Sequence, residues 1–306
     1  MRQHDHQRSP RPTLYQEVTD RIVAELEAGR VPWVQPWGRA KAGLGLPRNA
    51  ATSRRYSGIN ILILWGAVIE RGYGRQSWLT FRQALALGGH VRKGERGTTV
   101  CYADRFIPRK EQERAAQEGG TPEAIAFLKR FTVFNVEQCD GLPDTALGIT
   151  QPLPERQIVP RAEALIAATG ADFRIGGARA YYDTMGDFIQ VPPQPAFFEQ
   201  VNYYRTCFHE LGHWTGHQAR CARDLSGAHG SKNYAREELA AEIASAFVCA
   251  SIGIVPTVRH ADYIGDWLTV LREDNRAIFR AASLAAKAAD FLLAFDAVAA
   301  TQGAAA

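Results

Sequence analysis

The sequence predicts an α+β protein of two domains, and three observations carry that prediction. The chain has 306 residues, more than the usual ~100 to 200 of a single domain. Its composition, 46% hydrophobic and 22% charged residues, is that of a globular protein able to bury a core. Short helical and strand-like stretches mix in the first half, whereas the second half turns to long, alanine-rich helical stretches beyond a Pro- and Gly-rich break at residues 141–160. We therefore expect a disordered basic tail at 1–12, a first domain at 13–145, a linker at 146–160 and a second domain at 161–300.

Leu14, Val18, Ile22 and Leu26 recur every four residues, so residues 13–28 read as an amphipathic helix that Gly29 stops. Trp33 and Trp37 follow in a Pro-punctuated extended stretch. Helices are expected at 58–71 and 80–87, the second ending at Gly88-Gly89. Aromatic and β-branched residues mark 98–102 and 130–135 as paired strands, joined by a charged, solvated excursion at 110–120. Beyond the linker, 161–169 reads as a helix, 180–182 and 187–191 as strands around an Asp183-Thr-Met-Gly186 turn, and a long helix starts near Phe197. Five scattered cysteines with no CxxC pair fit reduced thiols rather than a disulfide framework. No window approaches the ~18 apolar residues of a membrane helix, and the polar N-terminus is not a secretory signal; the expected location is the cytoplasm, with no membrane partner.

The richest stretch chemically is His209-Glu-Leu-Gly-His-Trp-Thr-Gly-His217. On a helix, His209 and His213 at i and i+4 project from one face and can bind one Zn²⁺, with Glu210 beside the metal rather than on it. Ala219 stands six residues after His213, which excludes the metzincin pattern of a third histidine. Downstream, Glu238-Leu-Ala-Ala-Glu242 has the form seen in Glu-type zincins: Glu238 is the expected third ligand, and Glu242, one turn on, supports a ligand histidine. His217 lies beyond Gly216, where the helix is expected to end. The donor set points to Zn²⁺ first, with another divalent ion such as Mn²⁺ as an alternative. In the expected chemistry the metal activates a water, Glu210 removes its proton and passes it to the leaving amine, and residues 187–191 serve as an edge strand for an extended peptide.

Charge is divided unevenly. Residues 1–150 hold 22 Lys+Arg against 15 Asp+Glu, a balance of +7, and residues 151–306 hold 14 against 17, or −3. An anionic partner for the first half follows, nucleic acid before membrane. Two segments combine cations with rings: Arg54-Arg55-Tyr56, and Trp78 with Phe81 followed by Arg92, Lys93 and Arg96. Single-strand binders need a positive groove and flat rings for stacking, so Tyr56 and Trp78 are the stacking candidates and the cations the phosphate contacts. No motif for sequence-specific duplex readout is present.

The chain resembles the ArdC-type antirestriction proteins of conjugative plasmids, related in their N-terminal part to TraC-type primases. The resemblance is carried by Trp33-Val-Gln-Pro-Trp37, Asn49 through Asn60, Trp78-Leu-Thr-Phe81, Val91-Arg-Lys-Gly-Glu95, Val133 to Gln138, Tyr204 through His217 and Tyr234 through Glu242. It implies an N-terminal domain that binds single-stranded DNA, joined to a zincin-like metallopeptidase domain, protecting incoming plasmid DNA from host restriction during conjugation. A protein of the host restriction system is then a possible substrate. Two rivals stand beside this expectation: a DNA-binding protein whose metalloprotease fold is structural and catalytically silent, and a plain zinc metalloprotease whose basic half docks an acidic protein.

Overall fold

Thr13 starts the first helix by accepting the N–H of Gln16 at 3.2 Å, and α1 (Leu14–Glu27) buries Leu14, Ile22 and Leu26 on one face. The computed structural model describes residues 12–33, 45–147, 155–197, 199–255 and 263–303. The tail at 1–11, residues 34–37 of the tryptophan stretch and linker residues 148–154 lie outside them. The first region continues through β1 (Arg48–Asn49), α2 (Ile59–Arg71), β2 (Ser77–Leu79), α3 (Phe81–Ala86), β3 (His90–Val91), β4 (Thr98–Phe106), α4 (Arg109–Glu118), β5 (Ile125–Asn135), β6 (Cys139–Asp140) and α5 (Asp144–Leu147). Its main sheet has the order β1-β2-β5-β4, and β3 pairs with β6 separately. The paired strands extend further than their apolar cores suggest: β4 and β5 stay in antiparallel register from Thr98↔Val133 to Phe106↔Ile125. The charged excursion between them is α4, whose ion pairs Arg109–Glu113 and Arg114–Glu111 are the i,i+4 and i,i+3 pairs of a solvated helix.

The second region begins with α6 (Glu155–Ala168), followed by β7 (Asp172–Ile175), β8 (Tyr181–Asp183), β9 (Phe188–Val191), α7 (Gln200–Trp214), α8 (Lys232–Ile252), α9 (Ile264–Glu273) and α10 (Ala277–Gly303). Helix α6 runs through Pro160, which removes one backbone donor, so regular structure starts inside the stretch expected to be linker. The three-stranded sheet has the order β7-β9-β8. Residues 187–191, expected to be an edge strand, therefore form its centre, because β7 pairs with β9 in parallel from the far side. The edges of the sheet are β7 and β8.

One apolar core is continuous across both regions. Trp65 of α2 meets Phe247 of α8 edge-to-face with centroids 5.5 Å apart, and Trp33 lies 5.6 Å from Trp267 of α9. Such ring pairs add ~0.5 to 1.5 kcal/mol each beyond their buried area. Around them, Thr19 Oγ1 donates to Asn275 O at 2.7 Å and Asn275 Nδ2 donates to Gln16 Oε1 at 2.9 Å, tying α1 to the α9–α10 corner. Among the described residues no helix is long and apolar enough to cross a membrane.

Candidate metal centre and nucleic-acid interface

Helices α7 and α8 carry the metal-type residues and pack unusually close. A Cβ on Gly212 would sit 3.1 Å from Ala241 O and 3.3 Å from Ala241 Cβ, so the glycine and the alanine together set the approach. Ser231 caps α8 through the N–H of Tyr234, and Gly253 ends it in the left-handed conformation at φ 88°. The result is a group, buried at His209 and Glu238 and partly exposed at His213, in which one donor atom from each of the three residues lies within 4.8 Å of the others.

Each imidazole is held from behind. His209 Nδ1 lies 3.0 Å from Glu242 Oε2, and His213 Nδ1 lies 3.2 Å from Glu237 Oε1. Carboxylates at both Nδ1 atoms place the ring protons there and turn both Nε2 lone pairs inward. Those Nε2 atoms are 3.2 Å apart, and each is 3.4 Å from an oxygen of Glu238. Glu238 Oε2 is buried without a hydrogen bond. Two facing lone pairs and an orphaned carboxylate oxygen form a donor set that fits a divalent cation. With protons alone in the site, burial disfavours the imidazolium forms, yet the neighbouring carboxylates outweigh it and lift His209 to about 9 and His213 to about 10. For Glu238 burial pulls the opposite way, and the two imidazoles hold its carboxyl far below the usual range.

Glu237 is the participant that motif reasoning missed. It takes two hydrogen bonds from Arg223, Nε to Oε2 at 3.0 Å and Nη2 to Oε1 at 2.7 Å. Arg223, with its side chain 2% exposed, also donates to Gly212 O and Thr215 Oγ1 at 2.6 and 2.7 Å, so it clamps the end of α7 to the base of α8. A signal existed: each ligand histidine needs a partner for Nδ1, and the E-x-x-A-E pattern supplies only one. His217 stands apart from the donor group, its Nδ1 accepting the N–H of Ala219 at 3.2 Å. Buried Glu210 borders a cleft of about 220 Å³ with His209, His213 and Glu238. Tyr181, Tyr182 and Thr184 bring the open edge of β8 to the same cleft. The turn beyond is fixed by Arg220, whose guanidinium pairs with Asp187 and stacks 3.9 Å over the Trp214 ring.

The N-terminal candidate residues occupy more varied surroundings. Trp78 is 0% exposed and packs edge-to-face on Tyr73 at 5.8 Å, so it is a core residue and not a stacking face. Tyr56 is half-buried against the core, and that burial raises its phenol pKa. Arg54, Arg55, Lys93 and Arg96 are exposed as expected. Arg92 is also exposed but already engaged, 2.7 Å from Glu95 and 3.3 Å from Asp140. The two basic loops lie at opposite ends of α2, about 18 Å of helical rise apart: Arg54 and Arg55 precede its cap at Gly58, and Arg71 in its last turn donates to Arg96 O. Of the rings in these two segments Phe81 is exposed, at 51%, and further exposed rings stand on β4 and β5.

Residues 12–134 match the family model of the N-terminal domain of anti-restriction factor ArdC, and residues 160–284 match that of a zincin-like metallopeptidase. The uncharacterized protein y4eC of Sinorhizobium fredii (strain NBRC 101917 / NGR234) is 40% identical over 284 residues, 91% of each chain. The DNA primase TraC of Escherichia coli is 40% identical over 303 residues, of which the chain spans 27% of the primase's length. The metal-free crystal structure of the antirestriction protein ArdC of plasmid R388 superposes with a TM-score of 0.79 at 41% identity, over 94% of this chain and 99% of that one. Its Mn(II)-bound structure matches with a TM-score of 0.77 over the same shares.

Proposed function

The chain belongs to the ArdC-type family of antirestriction proteins, with an ArdC N-terminal domain and a zincin-like domain, and on that premise we propose that it binds single-stranded DNA and is a Zn²⁺-dependent peptidase. It serves in the cytoplasm to protect incoming plasmid DNA from restriction during conjugation. Residues 13–145 form the DNA-binding unit and residues 161–300 the peptidase unit, with α6 beginning at Glu155 inside the stretch that joins them.

One observation carries the peptidase reading: a general base, Glu210, borders the same cleft as His209, His213 and Glu238. A structural metal site needs no such base. Bound Zn²⁺ would supply Lewis acidity and bring the pKa of a water near about 7. The protein's own residues do the rest. Glu242 and Glu237 fix the two ring orientations through Nδ1. Glu210 accepts the proton of the attacking water and delivers it to the departing amine. The free edge of β8 offers main-chain donors and acceptors to an extended peptide beside the cleft. Two nitrogens and one oxygen favour Zn²⁺, and the Mn(II)-bound relative keeps manganese within reach.

Two variants test the assignment. His213→Ala removes a ligand, and elemental analysis should find no stoichiometric metal. Glu210→Gln leaves the ligands in place and should keep the metal while abolishing cleavage of a peptide library. Wild-type turnover by Glu210→Gln would refute the mechanism.

A further inference from the structure

Strands β4 and β5 have two unlike faces. Residues directly opposite across an antiparallel pair share a face, and residues two apart along a strand do too. The register Tyr102↔Lys129, Asp104↔Phe127 and Phe106↔Ile125, with Phe131 two residues beyond Lys129, therefore puts these seven residues on one face. The opposite face is covered: Arg130 is paired with Glu17 of α1 at 2.7 Å, Asn60 of α2 exchanges hydrogen bonds with the Cys101 backbone, and Leu128 packs against the core.

Tyr102, Phe106, Ile125 and Phe131 are 45–51% exposed. The rings pair diagonally and edge-to-face, Tyr102 with Phe131 at 5.8 Å and Phe106 with Phe127 at 5.6 Å. Lys129 Nζ sits 5.0 Å from the centroid of Phe127. A contiguous apolar face left in water marks an interaction surface. Its make-up selects the partner: flat rings with Lys129 beside them and one acid, Asp104, at the far end from Phe131, in the half of the chain that carries an excess of +7, match flat bases on a phosphate chain. Edge-to-face packing leaves ring surface open to a base, and stacking on it is indifferent to sequence.

We propose that this face of β4 and β5 is the platform on which single-stranded DNA stacks, bases lying on Tyr102, Phe106, Phe127 and Phe131 and a phosphate on Lys129. The platform rests on the DNA-binding reading above and replaces Trp78 in it. Because the core is shared with the second region, the full chain is the object to test. Fluorescence anisotropy with labelled oligo-dT, read across a salt series, compares wild type with Tyr102→Ala/Phe131→Ala, Phe106→Ala/Phe127→Ala and Lys129→Ala. Thermal melting first establishes that each variant is folded.

Each ring pair, once removed, should weaken binding roughly 10-fold or more with the salt slope unchanged, since no phosphate contact goes with it. Lys129→Ala should flatten the slope by about 0.7. Tyr102→Trp should retain affinity. Folded ring variants that bind oligo-dT as wild type does overturn the platform alone. A wild-type dimer that the ring variants turn into a monomer also overturns it and assigns the face to self-association. Wild type that ignores oligo-dT at low salt overturns the DNA-binding reading beneath.

Discussion

Around His209 the polar groups of two helices point at one buried spot, whereas in the N-terminal half cations stand at both ends of α2 and rings spread along an open strand pair. The first arrangement is a convergent network: Glu242 and Glu237 hold rings, Arg223 holds Glu237, and removing one member leaves its neighbours buried and unpaired. The second is additive. In the proposed binding of a single strand each exposed cation or ring would contribute its own share, screened by salt where charge is involved. Single substitutions should therefore act sharply in one region and gradually in the other.

Trp78 is where that contrast is most easily broken, because it lies in the additive region but is packed like the convergent one. Trp78→Ala should destabilise the protein by about 3 to 5 kcal/mol, since a fully buried Trp loses both its transfer energy and its packing. Chemical denaturation measures the change. A variant of wild-type stability that has lost single-strand binding would restore Trp78 as a stacking residue and erase the difference between the two regions.

The misplacement of Trp78 has a physical cause. Strand β2 is only Ser77–Leu79 and lies between β1 and β5 with all three residues buried, so it shows no alternation from which an exposed side could be read. The same limit hid the position of β9: whether a strand is central or an edge depends on which others pair with it, and β7 reaches it from earlier in the chain. The histidine site was legible because its signal is local. An i,i+4 spacing defines a helix face wherever the helix lies, and Glu238 and Glu242 repeat that spacing on α8. Glu237 escaped because its role depends on how far α8 is rotated against α7, which Gly212 and Ala241 set by contact. The continuous core was equally out of reach, since Trp65 and Phe247 announce burial but not each other.

Glu237 probes the network around His213 without touching the cleft's donor atoms. If the network is convergent, Glu237→Gln should weaken metal binding by 10- to 100-fold, about 1.4 to 2.7 kcal/mol, although Glu237 touches no metal. Competition against a chelator gives the affinity, and Glu242→Gln, which disturbs the other ring, should lose a similar amount. Metal affinity unchanged in Glu237→Gln alone would reduce the His213 contact to packing. Arg223 would then serve only to close the end of α7.

The smallest effect expected lies within one loop, between neighbours that sequence alone treats alike. Arg92 donates to Glu95, Asp140 and the carbonyl of Glu137, so its charge is spent locally and its guanidinium is held along the protein surface. Lys93 beside it is exposed and appears in none of the ion pairs that hold Arg92. A phosphate contact by Arg92 must break existing pairs, which are themselves worth only ~0 to 1 kcal/mol each at an exposed site, while Lys93 makes one without that loss. Lys93→Ala should therefore flatten the salt dependence of single-strand binding by up to about 0.7, and Arg92→Ala by distinctly less. Parallel salt titrations of the two variants decide it. Equal slopes would mean that DNA displaces Glu95 and Asp140 from Arg92, and a larger change for Arg92 would place the phosphate track on the Arg92 side of the loop.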